Sequence, residues 1–139
     1  MRAAAALLAV ALCACSPAPA EADPATDAGR QEAGAQVLTL DAETLAARAQ
    51  AGEVVLVDVR TPEEFASGHL PGAVNMPIET FDPAAVPQEE GRETILYCRS
   101  GNRSGRGAEQ LAAYLDAPVR HLEGGIVAWE GAGLETVTP

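Results

Sequence analysis

Val54-Val55-Leu56-Val57 is an uninterrupted apolar run closed by Asp58, the pattern of a strand covered on both faces in a parallel sheet. Shorter runs at 37–40, 73–76, 94–97 and 119–122 predict four further strands. Helical signals lie between them. Asp41 is placed to cap a helix over 42–50, which Gly52 stops. Thr61-Pro62-Glu63-Glu64 joins a Thr-x-x-Glu capping box to a proline at the first helical position, and Gly68 ends that helix. The stretch 104–115 predicts a helix that buries Leu111, Ala112 and Leu115, and a short helix holding Trp129 follows Gly124-Gly125. Strands alternating with helices imply an α/β fold with an open parallel sheet. Ligands in such sheets bind outside the carboxyl ends of the strands. Two polar segments fall there, Asp58-Val59-Arg60 and the run that opens at Cys98.

The amino terminus follows a different pattern. Met1-Arg2 is a short basic start, and Ala3 to Leu12 are all apolar, as in a secretory signal peptide and too short for a permanent bilayer span. Leu12-Cys13-Ala14-Cys15-Ser16 resembles a bacterial lipobox with Cys15 as the acylated residue; Cys13 stands where Ala, Ser or Thr is usual. The alternative is an ordinary cleaved signal that releases a soluble protein. Residues 15–36 carry no large apolar side chain and read as a disordered tether. The expected organisation is a signal peptide over 1–14, the tether over 15–36 and a small domain over 37–139. Ser16 after the lipidated cysteine points to the outer membrane, with the domain held in the periplasm.

Charge narrows the function. The formal net charge is −11, there is no lysine, and residues 37–139 hold seven arginines against sixteen acids. No basic face exists for nucleic acid. Three of the seven arginines, Arg99, Arg103 and Arg106, nevertheless crowd into the nine residues from Cys98. Charges beyond roughly 8–10 Å are largely screened at physiological salt, so the local field decides what binds there.

Cys98-Arg99-Ser100-Gly101-Asn102-Arg103-Ser104 leads from a strand end into a helix. A strand-end cysteine alone is ordinarily an inert, buried small hydrophobe. The six residues that follow remove that reading: none is a large apolar residue, two are arginines, and Gly101 supplies positive φ for a tight cradle. Loop N–H groups and the helix N-terminus would stabilise a thiolate below its free pKa of about 8.5. With Cys13 removed and Cys15 acylated, Cys98 is the one free thiol, which argues against chemistry needing a resolving cysteine. It suits a thiol that carries a group and hands it on.

These residues resemble the rhodanese family over essentially all of 37–139. The match runs through Asp58-Val59-Arg60-Thr61-Pro62-Glu63-Glu64-Phe65, then Gly68-His69-Leu70-Pro71-Gly72-Ala73-Val74-Asn75-Met76-Pro77, the Cys98 loop, and Leu122-Glu123-Gly124-Gly125-Ile126-Val127-Ala128-Trp129. The resemblance implies a rhodanese-like open parallel five-stranded sheet flanked by helices, and a sulfurtransferase working through a Cys98 persulfide. Thiosulfate is the implied donor and a thiol or cyanide the acceptor. Arg99, Ser100, Gly101, Asn102, Arg103 and Ser104 are expected to hold the substrate, with Arg99 favouring thiosulfate because a basic residue follows the cysteine in thiosulfate-using members. Asp58 and Arg60 are expected to support the site as an ion pair. His69 is read as a structural hydrogen-bonding residue, His121 is given no role, and Trp129 is read as core. No metal, no other cofactor and a monomer are expected.

Two rivals stand beside this reading. The dual-specificity phosphatases related to rhodanese, and arsenate reductases, also use a strand-end cysteine, but their loop reads Cys-x5-Arg, whereas here the arginine comes at 103 and Ser fills 104. A non-catalytic binding module is the second; inactive members typically lose the cysteine or its glycine, and this chain keeps Cys98 and Gly101.

Overall fold

The computed structural model describes residues 34–139. The expected signal peptide, Cys15 and the expected tether up to residue 33 lie outside the described residues. Five parallel strands, β1 (Gln36–Leu40), β2 (Val54–Asp58), β3 (Val74–Asn75), β4 (Glu93–Tyr97) and β5 (Pro118–Leu122), form one sheet in the order β1-β5-β4-β2-β3. Helices α1 (Ala42–Gln50), α2 (Pro62–Ser67), α3 (Asn102–Leu115) and α4 (Gly125–Gly131) connect and flank them. Gln36, assigned by sequence to the tether, is the first residue of β1, where it pairs with Pro118.

The sheet divides the core into two, as the period of a strand requires. Val54 and Leu56 of β2 with Ile95 and Tyr97 of β4 pack on Leu45, Leu122, Ile126 and Trp129. Val57, Val59, Leu96 and Cys98 face the other way, onto Ala108, Leu111 and Ala112 of α3 and onto Val119. Every residue of β2 is buried, as its unbroken apolar run predicts. Cys98 follows β4 directly and inherits the inward-facing register of Leu96.

Local signals place the helices. The Asp41 carboxylate accepts the Thr44 N–H at 2.8 Å, and at α2 both halves of the capping box form between Thr61 and Glu64. Three features depart from the sequence expectation. Helix α3 starts at Asn102 rather than 104, so the second half of the Cys98 loop is already helical. Leu115, the last residue of α3 before the left-handed Asp116 (φ +48°), lies at the surface. The chain between β3 and β4 carries two short 3-10 turns, Ile78–Thr80 and Pro83–Ala85; Ile78 of the first and Val86, just after the second, close the second core. Asp82 and Pro83 start the latter in miniature, with the Asp82 carboxylate accepting the Ala84 N–H.

Candidate active site

Cys98 sits 1% exposed at the carboxyl end of β4, under the turn that enters α3. Gly101 takes φ +104° as the N-terminal cap of α3, and its N–H points back to the Cys98 sulfur at 3.1 Å. Burial pushes the Cys98 thiol up. The Ser104 hydroxyl and the N–H groups of Ser104, Gly101 and Ser100 push it down, and they win, leaving the thiol below its ordinary value. The stabilisation is therefore a matter of hydrogen bonds from the loop; the arginines are secondary, although sequence gives them equal prominence.

The loop faces its N–H groups inward because its carbonyls are held elsewhere. Ile126 N–H donates to the Cys98 carbonyl at 2.8 Å, and Val127 N–H to that of Arg99 at 3.2 Å. Both donors are free first-turn groups of α4. This approach is possible only at glycine: a Cβ on Gly125 (φ +60°) would lie 2.4 Å from the Cys98 carbonyl oxygen and 2.5 Å from the Arg99 carbonyl. The Gly124-Gly125 pair, seen in sequence only as a turn and part of the family resemblance, is what orients the cradle.

The arginines of the loop separate. Arg103 donates from Nη1 and Nη2 to Glu64 Oε2 and Oε1 at 2.6 and 2.8 Å. The Arg103 hydrogen bond pulls the Glu64 carboxyl down to about 2. The structure thus places Arg103, expected at the substrate, on the side chain that also completes the α2 capping box. Arg99 is exposed and makes no ion pair among the described residues. With Arg60, Glu64, Val127 and Glu130 it lines a groove of about 440 Å³. Ser100 and Asn102 are exposed, and Ser104 is fully buried.

Beneath the groove Asp58 and Arg60 form a buried pair, Nη2 to Oδ2 at 2.6 Å. Arg60 Nη2 also donates to the Gly68 carbonyl at 2.7 Å, and its guanidinium lies 5.8 Å from the Tyr97 ring centre. The Tyr97 hydroxyl accepts the Leu70 N–H at 3.1 Å. This is the supporting ion pair expected from the sequence: it ties β2 to the Gly68 turn and β4. His69 stacks on Phe65 at 3.7 Å, with Nδ1 3.0 Å from the Phe65 carbonyl. Trp129 is buried and donates from Nε1 to the Glu135 carbonyl at 2.9 Å. His121, given no role from sequence, has Nδ1 3.0 Å from Ser104 Oγ. Strand alternation could have found it, since Val119 and His121 share the face that α3 covers.

The model of the rhodanese-like domain matches residues 41–132. The chain belongs to the rhodanese-like family. A Synechocystis protein, slr1261, is 44% identical over 100 residues, covering 72% of this chain and 56% of its own length. A protein of Allochromatium vinosum named Sulfurtransferase is 38% identical over 101 residues, 72% of this chain and 94% of the relative. Among solved structures, thiosulfate sulfurtransferase from Pseudomonas aeruginosa superposes with a TM-score of 0.65 at 26% identity, over 73% of this chain and 20% of that one. The chain thus spans just over half the length of the Synechocystis relative and nearly all of the Allochromatium one. Sulfur transfer is the general chemistry that this family membership supports.

Proposed function

We propose that the protein moves sulfane sulfur from thiosulfate or a similar anionic donor to a thiophilic acceptor through a persulfide on Cys98. The observation that carries this reading is the thiol itself, buried at a strand end and held below its ordinary pKa by loop hydrogen bonds. The Cys98 thiolate attacks the outer sulfur of thiosulfate; the S–S bond breaks and sulfite leaves with its electron pair. A thiol or cyanide then attacks the terminal sulfur of the persulfide, and Cys98 leaves as thiolate. Two half-reactions through one covalent intermediate give ping-pong kinetics. Arg103 is engaged by Glu64, so Arg99 is the loop cation that meets the donor anion.

Loop length favours this reading over the phosphatase. The arginine of a Cys-x5-Arg loop would fall at 104, where Ser104 is buried in the first turn of α3. The shorter ring suits one sulfur atom. A binding module without chemistry has no use for a thiol so activated. The proposal extends to location: acylation at Cys15 tethers the domain on the periplasmic side of the outer membrane. The test is Cys98→Ser, in which thiocyanate formation from thiosulfate and cyanide falls to background while the circular dichroism spectrum is unchanged. Transfer persisting in that variant overturns the assignment.

A further inference from the structure

The groove beside the Cys98 loop is lined by four charged side chains, Arg60, Glu64, Arg99 and Glu130, and two of them are spent inside the fold. Arg60 is held by Asp58 at 2.6 Å and by the Gly68 carbonyl at 2.7 Å. Glu64 accepts from Arg103 at 2.6 and 2.8 Å. Arg99 and Glu130 are both exposed, and neither makes an ion pair, with the other or with any side chain among the described residues. One free cation and one free anion therefore line the same groove of about 440 Å³, a volume suited to a small molecule.

Helix α4 sets their spacing. Its Ile126 N–H donates to the Cys98 carbonyl at 2.8 Å and its Val127 N–H to the Arg99 carbonyl at 3.2 Å, so the start of α4 lies against the reactive residue. Glu130 follows Val127 by three residues, one turn further along the same helix face and about 5 Å away. Val127, 54% exposed, gives the groove an apolar floor. A donor such as thiosulfate carries only negative charge, so it gains from Arg99 and is repelled by Glu130. The unpaired carboxylate has a use only in the half-reaction that takes the sulfur away.

We propose that Glu130 sets acceptor specificity, selecting a small thiol that carries an ammonium beside a carboxylate, an amino-acid thiol. The inference rests on reading Cys98 as the carrier of the sulfur. Departure of sulfite in the first half-reaction frees Arg99. The acceptor then sets its carboxylate on Arg99 and its ammonium on Glu130. Its thiol gives its proton to solvent, and the thiolate attacks the outer sulfur of the Cys98 persulfide. The S–S bond breaks, Cys98 departs as thiolate with the electron pair, and the acceptor leaves as a persulfide.

The test compares cysteine with 3-mercaptopropionate, which is cysteine without its amino group, so the pair isolates the ammonium. The full protein is loaded with thiosulfate, freed of excess donor and mixed with each thiol in turn. Intact mass gives the rate at which the sulfur leaves. Glu130→Gln should lower the ratio of the cysteine rate to the 3-mercaptopropionate rate by roughly threefold, the worth of one exposed ion pair. Glu90→Gln removes the same charge from an exposed position before β4, at the opposite end of the sheet from Cys98, and should keep the wild-type ratio.

A second readout needs no sulfur donor: the rates at which aminoethyl and sulfonatoethyl methanethiosulfonate modify Cys98. The ratio of the ammonium reagent to the sulfonate reagent should also fall in Glu130→Gln and hold in Glu90→Gln. Either ratio left unchanged by Glu130→Gln, or lowered equally by Glu90→Gln, overturns the proposal. If the reagent ratio falls while thiosulfate loads no sulfur, the functional reading fails and the charge selection by Glu130 at Cys98 stands.

Discussion

Gly125→Ala is the sharpest perturbation of the cradle. The new methyl would lie 2.4 Å from the Cys98 carbonyl oxygen and 2.5 Å from Arg99 C and O, all backbone atoms that no rotamer change can move. An alanine at φ +60° costs about 1–2 kcal/mol for the left-handed conformation alone. Relieving the overlap separates α4 from the loop and breaks the hydrogen bonds from Ile126 and Val127, at roughly 0.5–1.5 kcal/mol each. The sum is about 2–5 kcal/mol. Gly133→Ala is the control: it has φ +74° and nothing within 4 Å of the added Cβ, so it bears only the conformational cost of about 1–2 kcal/mol. Urea denaturation gives the stabilities and iodoacetamide alkylation gives the reactivity of Cys98. Gly125→Ala should lose more stability than Gly133→Ala and should also slow alkylation, since tilting the loop carbonyls turns the Gly101 and Ser100 N–H groups off the sulfur. Equal stability and equal alkylation in the two variants would refute the argument that α4 orients the loop.

Arg99→Ala should lower kcat/KM for thiosulfate by an amount equivalent to about 1.5–3 kcal/mol, the range for a hydrogen bond to a charged group; an unchanged value would show that Arg99 only faces solvent. Glu64 has its folded pKa lowered from 4.5 to about 2, so its pair with Arg103 contributes stability that is complete above the ordinary value and is lost as pH falls through the folded one. The stability gap between wild type and Glu64→Gln should accordingly narrow between pH 4.5 and about 2, and a gap independent of pH there would contradict the pairing. Cys15→Ala should abolish recovery of the protein in membrane fractions, because acyl chains supply the membrane affinity; equal recovery of variant and wild type would remove lipidation as the anchor.

Much of the fold is legible in sequence where the signal is local. The unbroken run of β2 and the Thr61–Glu64 capping box sit within a few residues of each other, and both form as read. Contacts that depend on how distant elements meet are not legible in that way. Arg103 and Glu64 are 39 residues apart, and their meeting depends on α2 and α3 reaching the same end of the sheet. Sequence expects both loop arginines at the substrate, and the fold pairs Arg103 with Glu64 and leaves Arg99 exposed. His121 escaped for the same reason, although its alternation with Val119 held the clue. The start of α3 at Asn102 was hidden because Gly101 caps it through backbone conformation, with no capping side chain to read. Leu115 continues a helical apolar stripe by spacing, but it is the last residue of α3 and lies at the surface, past the residues that meet the core.

The central claim is that Cys98 carries a sulfur atom. Intact mass spectrometry of the purified protein before and after thiosulfate, with no reductant present, measures this directly. The account predicts a gain of about 32 Da, one sulfur, that maps to Cys98, disappears on adding cyanide and is absent in Cys98→Ser. A wild-type protein whose mass never changes under thiosulfate, and which instead hydrolyses aryl phosphates efficiently, would contradict it.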